Sequence, residues 1–127
     1  MSTTADRVRP DRAEGVGLGR EFLVDASGCD PAALRSVATL RAVFDRVVAE
    51  LGLQPLDQLW HVFPEPGGVT GLLLLSESHL TVHTFPECGV ATFNLYCCRP
   101  KPDWPWPARL REALGAADVR VSTQRRG

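Results

Sequence analysis

Apolar residues recur in two different rhythms along this chain of 127 residues. Between positions 31 and 51 they fall every three or four residues, the spacing that collects side chains on one face of a helix. The positions are Leu34, Val37, Leu40, Phe44, Val47, Val48 and Leu51. Asp30 offers a side-chain cap, Pro31 a preset first turn and Gly52 a natural end. The pattern therefore predicts one helix over residues 31–51.

The other apolar runs are short, alternate with polar residues or are bounded by turn residues, and are typical of β-strands. They predict strands over residues 18–26, 57–63, 69–77, 79–85, 89–98 and 118–123, and a second short helix over 107–114. Strands interleaved with two helices predict an α+β fold. We expect a two-layer α/β sandwich, in which a mainly antiparallel sheet carries two helices on one face.

Residues 1–17 are polar and charged without a hydrophobic pattern, and we expect a disordered N-terminal arm there. Residues 18–127 then form a single domain, for which 44% hydrophobic residues supply a core. The net charge is −1, with 14 basic and 15 acidic residues, so neither nucleic acid nor a membrane surface is an expected partner. The chain also begins without a hydrophobic segment, so we expect no secretory signal.

Four cysteines occur, two of them adjacent, which disfavours a mutual disulfide. They are Cys29, Cys88, Cys97 and Cys98. Reduced thiols predict a cytoplasmic protein. A zinc module is not indicated, because the cysteines and histidines lack zinc-ligand spacing. We therefore expect no metal.

The strand predicted over residues 79–85 divides its side chains by chemistry. His79, Thr81, His83 and Phe85 share one face by strand parity, and Leu80 and Val82 share the other. A polar face on a half-buried strand is often only a solvated face. Two imidazoles and a hydroxyl with a nearby carboxylate also suit an active site.

The following strand shows the same division. Its apolar face carries Ala91, Phe93, Leu95 and Cys97, and its other face carries Thr92, Asn94, Tyr96 and Cys98. Cys97 is therefore predicted to be a packed core thiol, the usual environment of a reduced cysteine. Cys98 is the better candidate for a reactive thiol.

Residues 68–98 read GVTGLLLLSESHLTVHTFPECGVATFNLYCC. This run resembles the signature region of the small bacterial S-adenosylmethionine decarboxylases, which are pyruvoyl-dependent. In that family a Ser-Glu-Ser-His segment precedes a His-Thr-aromatic-Pro-Glu segment, and a cysteine follows at a fixed distance. Residues 19–30, GREFLVDASGCD, resemble the family's first strand and turn more weakly.

The resemblance implies catalytic roles for three residues. Ser78 matches the serine that becomes a covalent pyruvoyl cofactor, so the cleaved bond is Glu77–Ser78. His83 matches the histidine of self-processing, and Cys98 matches the proton donor in decarboxylation. Thr70 stands where the family commonly has a serine that helps processing, and its added methyl group predicts slower processing.

The resemblance also implies a substrate pocket. Phe85 matches an aromatic residue that stacks on adenine, and Glu87 matches a carboxylate that binds ribose hydroxyls. Phe63 matches a second stacking aromatic if the turn over residues 64–68 holds one extra residue. Cys88 stands where the family often has an aromatic residue, and we interpret it as a packed thiol.

The chemistry explains the need for these groups. The Ser78 hydroxyl attacks the Glu77 carbonyl and converts the amide to an ester, and a base such as His83 then removes the α-proton of residue 78. Elimination and loss of ammonia leave the pyruvoyl group. Its carbonyl forms a Schiff base with the substrate amine and accepts the electrons that carbon dioxide leaves behind.

The resemblance further implies a role in spermidine (polyamine) biosynthesis and a homodimer of processed protomers with sites at the interface. A sheet with one uncovered face also favours a two-fold dimer. Two alternatives stay open. One is a pyruvoyl-dependent decarboxylase of a simple amino acid such as ornithine or arginine. The other is a non-catalytic relative that activates a partner.

Overall fold

The computed structural model describes residues 17–127, and the predicted arm lies, apart from Gly17, outside the described residues. The strands are β1 (Gly19–Ser27), β2 (Pro55–Val62), β3 (Val69–Leu75), β4 (Ser78–Phe85), β5 (Val90–Cys97) and β6 (Asp118–Arg126). The helices are α1 (Pro31–Leu34), α2 (Val37–Leu51) and α3 (Trp106–Leu114). All six strands form one sheet in the order β2-β3-β4-β5-β1-β6, and every neighbouring pair is antiparallel. The predicted α+β sandwich is confirmed.

The helix predicted over residues 31–51 is divided into two. The Asp30 side chain accepts a hydrogen bond from the Ala32 N–H and caps α1 as expected. Ser36 then caps a new helix, because its hydroxyl accepts a hydrogen bond from the Thr39 N–H at 3.1 Å. A serine side chain competes with helical backbone bonding and favours a helix start. Hydrophobic spacing alone did not reveal this break.

The strand boundaries differ from prediction by one to three residues. The largest difference is in β6, which continues to Arg126 because it pairs with β1 as far as Gly19. At the other end of the motif region, β4 begins at Ser78 and β5 ends at Cys97. Cys98 therefore lies just beyond its strand.

One face of the sheet packs against the helices and forms the core. In β4 and β5 alternate residues are buried there, namely Leu80, Val82, Thr84, Ala91, Phe93, Leu95 and Cys97. Helix α2 covers them with Leu40, Val43, Phe44 and Val47, and α3 adds Trp106, Leu110 and Leu114. Strand parity predicted these faces correctly because the ladders run without a slip through β4 and β5.

The opposite face, which we call the open face, carries none of the three helices described in residues 17–127. Leucines stand on it in three strands, and their exposed fractions reach 50% at Leu74 and 70% at Leu59. No helix in this part of the chain combines the length and apolarity needed to cross a membrane.

Thr84 is the buried polar side chain among the core positions described. Its hydroxyl accepts a hydrogen bond from the Val69 N–H at 2.9 Å and donates one to the Leu34 carbonyl at 2.7 Å. This single hydroxyl therefore joins β3, β4 and α1. Both backbone groups would lose their partner if the hydroxyl were removed.

We expect Thr84→Val to lower the free energy of unfolding by about 1–3 kcal/mol, because it strands a buried donor and a buried acceptor without changing side-chain shape. Equilibrium urea unfolding followed by circular dichroism measures the change. Thr123→Val, at an exposed position of the edge strand β6, is the control and should change little. Equal stability of the two variants would contradict the role of this hydroxyl.

Candidate active site

Ser78 and Cys98 meet at one end of the sheet. Strand β3 ends at Leu75, a two-residue turn follows, and β4 begins with Ser78. Ser78 lies opposite Cys97 in the β4–β5 ladder. The Cys98 N–H donates a hydrogen bond to the Glu77 carbonyl oxygen at 3.2 Å. The predicted cleavage bond and the predicted reactive thiol are therefore neighbours.

Small cavities open on both sides of this sheet end. One, of about 90 Å³, is lined by Ser78, Cys98 and the connection after α2. Another, of about 200 Å³, lies towards β1 and shares Cys97, Cys98, Arg99 and Lys101 with the first. The rim is basic. Ser78 itself is only partly buried, so its side chain stands beside space that a small molecule can reach.

The adjacent thiols differ as predicted in burial. Cys97 is 4% exposed, and burial raises the pKa of its thiol. A thiol that is held protonated and packed is a poor nucleophile and proton shuttle. Both residues line the two cavities, but Cys98 is partly exposed whereas Cys97 is not. The prediction of a packed Cys97 is confirmed.

The interpretation of Cys88 as a packed thiol is wrong. Cys88 is exposed, in the turn between β4 and β5, where its N–H donates to the Phe85 carbonyl at 2.9 Å. A residue in the middle of a tight surface turn has no core to enter. Within residues 17–127 no disulfide is formed.

His83 and Thr70 form a pair on the open face. They lie directly opposite each other in the β3–β4 ladder, and the Thr70 hydroxyl is 3.1 Å from Nδ1 of His83. The threonine that replaces the expected serine thus still places its oxygen against the imidazole. This contact fixes one ring nitrogen and leaves Nε2 to face outward from the pair.

Within one chain, this pair does not reach Ser78. Ser78 and His83 are five residues apart in the same extended strand, which separates them by about 16 Å. They also fall on opposite faces by parity, since Ser78 aligns with the buried Cys97 and His83 with Thr92. A direct proton transfer between them inside a single chain is therefore excluded by the strand geometry.

The predicted substrate-binding residues lie at the His83 end of the sheet. Phe85 ends β4 and is 43% exposed. Phe63 follows β2, packs edge-on against His61 with ring centroids 4.5 Å apart, and closes the 64–67 turn through its N–H bond to Gly68. Strands β2 and β4 lie two spacings apart, about 9.5 Å, with β3 between them. Glu87 is exposed in the turn after Phe85.

The open face also holds a polar network that sequence reasoning missed. Glu21 accepts hydrogen bonds from Asn94 and Arg126, each at 2.7 Å. The Asn94 bond, followed by the Arg126 bond, lowers the pKa of Glu21. Nearby, His79 stacks on Tyr96 with centroids 5.7 Å apart. Strand parity predicted that Asn94 and Tyr96 lie on this face. No local sequence pattern indicated that β1 pairs between β5 and β6, which is what brings Glu21 and Arg126 to them.

The carboxylate of Glu77 forms an ion pair with Nε of Arg99. This contact was also missed, because Arg99 belongs to none of the segments that carried the motif.

Comparisons with known proteins agree on one family. The sequence profile of S-adenosylmethionine decarboxylase matches residues 20–127. The S-adenosylmethionine decarboxylase proenzyme of Moorella thermoacetica is 34% identical over 112 residues, which cover 87% of this chain and 88% of the relative. The corresponding proenzyme of Thermotoga maritima is 37% identical over 112 residues, with coverage of 87% and 85%.

A solved structure leads to the same assignment. The crystal structure of the adenosylmethionine decarboxylase from Aquifex aeolicus superimposes with a TM-score of 0.73 at 27% sequence identity, covering 87% of this chain and 92% of that one. The chain belongs to the S-adenosylmethionine decarboxylase family.

Proposed function

We propose that this chain is a proenzyme that cleaves itself between Glu77 and Ser78. The processed enzyme then decarboxylates S-adenosylmethionine, a step of polyamine (spermidine) biosynthesis. Family membership supports the reaction. One observation supports the assignment of this activity to particular residues: at the sheet end that contains Ser78, the Glu77 carbonyl accepts a hydrogen bond from the Cys98 N–H. A cytoplasmic location suits this chemistry, because reducing conditions keep the Cys98 sulfur as a thiol.

The processing step uses the geometry of that sheet end. The Ser78 hydroxyl attacks the carbonyl carbon of the preceding residue, and negative charge develops on the Glu77 oxygen. The Cys98 N–H already points at this oxygen, at 3.2 Å. A donor that is in place before the reaction stabilises such charge without reorganisation. The amide nitrogen leaves as a free amine, and residues 77 and 78 are then joined through an ester.

The residues around position 78 fit a pyruvoyl group. Ser78 is partly buried and borders a cavity of about 90 Å³ that Cys98 also lines. When it is present, the group supplies an electron sink for the bond that loses carbon dioxide. Cys98, which borders the same cavity, holds the proton that returns to the substrate carbon. Cys97 is directed into the core and takes no part.

His83 and Thr70 act on the Ser78 of a second copy. The open face presents exposed leucines that a partner would cover, and most soluble homo-oligomers are two-fold dimers. A two-fold axis that lies between two stacked sheets and runs across their strands reverses the strand direction. The His83 end of one sheet then lies against the Ser78 end of its partner. This arrangement removes the separation of about 16 Å along the strand that keeps His83 from residue 78 within a single chain.

The same arrangement would assemble the substrate pocket. Phe63 and Phe85 present exposed rings at the His83 end, about two strand spacings apart. Such a gap accepts a planar purine, and aromatic faces also attract a sulfonium cation. Glu87 follows directly and would accept hydrogen bonds from ribose hydroxyls. These groups suit S-adenosylmethionine and have no counterpart in ornithine or arginine.

Self-cleavage is the first expected outcome. Intact-mass measurement of the purified protein should show two chains, residues 1–77 and 78–127, the second blocked at its start by a pyruvoyl group. Ser78→Ala should remain a single chain, because the nucleophile is gone. A wild-type protein that stays uncleaved after prolonged incubation would falsify the processing proposal.

The adjacent thiols provide a matched pair of controls for this experiment. Cys98→Ala should still split but release carbon dioxide much more slowly, whereas Cys97→Ala should cost stability and leave turnover of the folded enzyme largely intact. Carbon dioxide release is measured from S-adenosylmethionine, ornithine and arginine side by side. If the cleaved protein turned over only ornithine or arginine, it would be a decarboxylase of a simple amino acid. If it turned over none of the three substrates, it would be a non-catalytic relative.

Mixed dimers test whether His83 acts across an interface. Ser78→Ala and His83→Ala chains should each remain uncleaved when expressed alone. When they are co-expressed, the His83→Ala chain should split, because its Ser78 meets the intact His83 of the other chain. The mass difference between the chains identifies which one is cleaved. Failure of both chains to split in isolated mixed dimers would contradict action across the interface.

The substrate pocket is tested by kinetics. Phe85→Ala should raise KM for S-adenosylmethionine by roughly five- to a hundredfold, because a base–aromatic stack is lost. Glu87→Gln should raise KM through weaker bonds to ribose, while self-cleavage continues in both variants. Glu65→Gln removes an exposed carboxylate from the neighbouring turn and is the control. Unchanged KM in both pocket variants would contradict the proposed pocket. Phe85 would then serve only in packing, and Glu87 would be a solvated surface carboxylate.

A further inference from the structure

Two consecutive residues at the end of β5 hold Glu77 at two different points. The Cys98 N–H donates to the backbone carbonyl of Glu77. The Arg99 guanidinium, through Nε, pairs with the side-chain carboxylate of Glu77. The carbonyl is the group that Ser78 attacks in the proposed processing step. Glu77 is therefore tied to β5 through the reacting group and through its own side chain.

This double attachment restricts the peptide that is to be cleaved. Residues 76 and 77 form the turn between β3 and β4, and the Ser76 N–H is anchored separately to the Gln54 carbonyl at 2.9 Å. Ser78 is fixed by its ladder position opposite Cys97. The Glu77–Ser78 peptide lies between these two anchors, and the Cys98 N–H holds its carbonyl oxygen. The Arg99 pair holds the Glu77 side chain on the β5 side of this peptide.

We propose that Arg99 is a positioning residue for self-processing: its ion pair with Glu77 keeps the Glu77 carbonyl between the Cys98 N–H and the Ser78 hydroxyl. The inference rests on the proposed cleavage at this bond. In the step that it favours, the Ser78 oxygen bonds to the Glu77 carbonyl carbon and the bond from that carbon to the Ser78 nitrogen breaks. The hydroxyl proton passes to the departing nitrogen, so the step needs no further reactant.

The exposure of the pair separates this role from a structural one. The side chains of Arg99 and Glu77 are 59% and 48% exposed, and ion pairs this accessible contribute little to folding. Loss of the pair should therefore leave the fold intact. Loss of alignment at a reacting bond is far more costly to a rate than to stability, since small displacements of reacting atoms lower rates steeply.

The primary measurement is the half-time of self-cleavage by intact mass. Arg99→Gln should slow cleavage by roughly ten- to a hundredfold, the usual cost of losing alignment or a charged hydrogen bond. Arg99→Lys should recover part of the rate, because a cation can still reach the carboxylate. Arg46→Gln breaks a partly exposed pair that does not involve Glu77, Arg46 with Glu50 at 3.0 Å, and should process normally.

A second measurement asks which step is slowed. Hydroxylamine cleaves esters much faster than amides, and a His83→Ala chain should accumulate the ester because the next proton transfer is blocked. After folding, the hydroxylamine-sensitive ester should therefore accumulate quickly in His83→Ala and roughly ten- to a hundredfold more slowly in the double variant His83→Ala/Arg99→Gln. A purely structural role for Arg99 would lower thermal stability and leave unchanged the rate at which the folded chain accumulates the hydroxylamine-sensitive ester.

A double-mutant cycle identifies the partner. If Arg99 acts through Glu77, then Glu77→Gln and Arg99→Gln should slow cleavage by less together than the product of their separate effects. Additive effects, or an Arg99→Gln chain that cleaves at the wild-type rate, would overturn the inference while leaving the proposed function intact. A wild-type chain that never cleaves would instead overturn the proposed function itself.

Discussion

The antiparallel register between β4 and β5 is the constraint on which the rest of the site depends. It sets Ser78 opposite Cys97 and so brings the Cys98 N–H to the Glu77 carbonyl. The same ladder places His83 opposite Thr92, on the other face of the sheet and far along the strand. A slip of one residue would exchange the faces of every side chain in β4. One register therefore brings the proposed nucleophile Ser78 beside the proposed proton donor Cys98 and separates both from His83.

The helices cover only one face of the sheet, and this explains why the separation of Ser78 from His83 matters. The helices bury one face with an ordinary core along most of its length, and Ser78 lies at the end of that face, beside a small cavity. The open face keeps His83, Thr70 and Phe85 together with exposed leucines, a combination of polar groups and apolar surface that suits an interface better than water. In the proposed function, the surface that a partner would cover is also the surface that presents His83 and Thr70.

Local pattern was sufficient for much of this picture. Alternation in residues 79–98 assigned Cys97 to the core and His83 to the other face, because pleat parity is a property of the strand itself. The division of the first helix was missed, since Ser36 acts through a single cap bond that apolar spacing does not register. The exposed Cys88 was missed for a related reason, because burial in a turn depends on what lies above it. The Glu77–Arg99 and Glu21–Arg126 pairs join residues 22 and 105 positions apart, so only the folded register brings them together.

The polar network at Glu21 shows how a charged group can stand on a face that is to be covered. An ionised carboxylate that loses water needs replacement hydrogen bonds, and Asn94 and Arg126 already supply them within the same chain. Their effect on the pKa of Glu21 is downward, so the carboxylate stays ionised to lower pH in the folded chain than in the unfolded one. Its contribution to stability is therefore present above the unfolded pKa and is lost as the pH falls through the folded value. A partner that docks on the open face meets a charge already neutralised, and the leucines around it can be buried without stranding an ion.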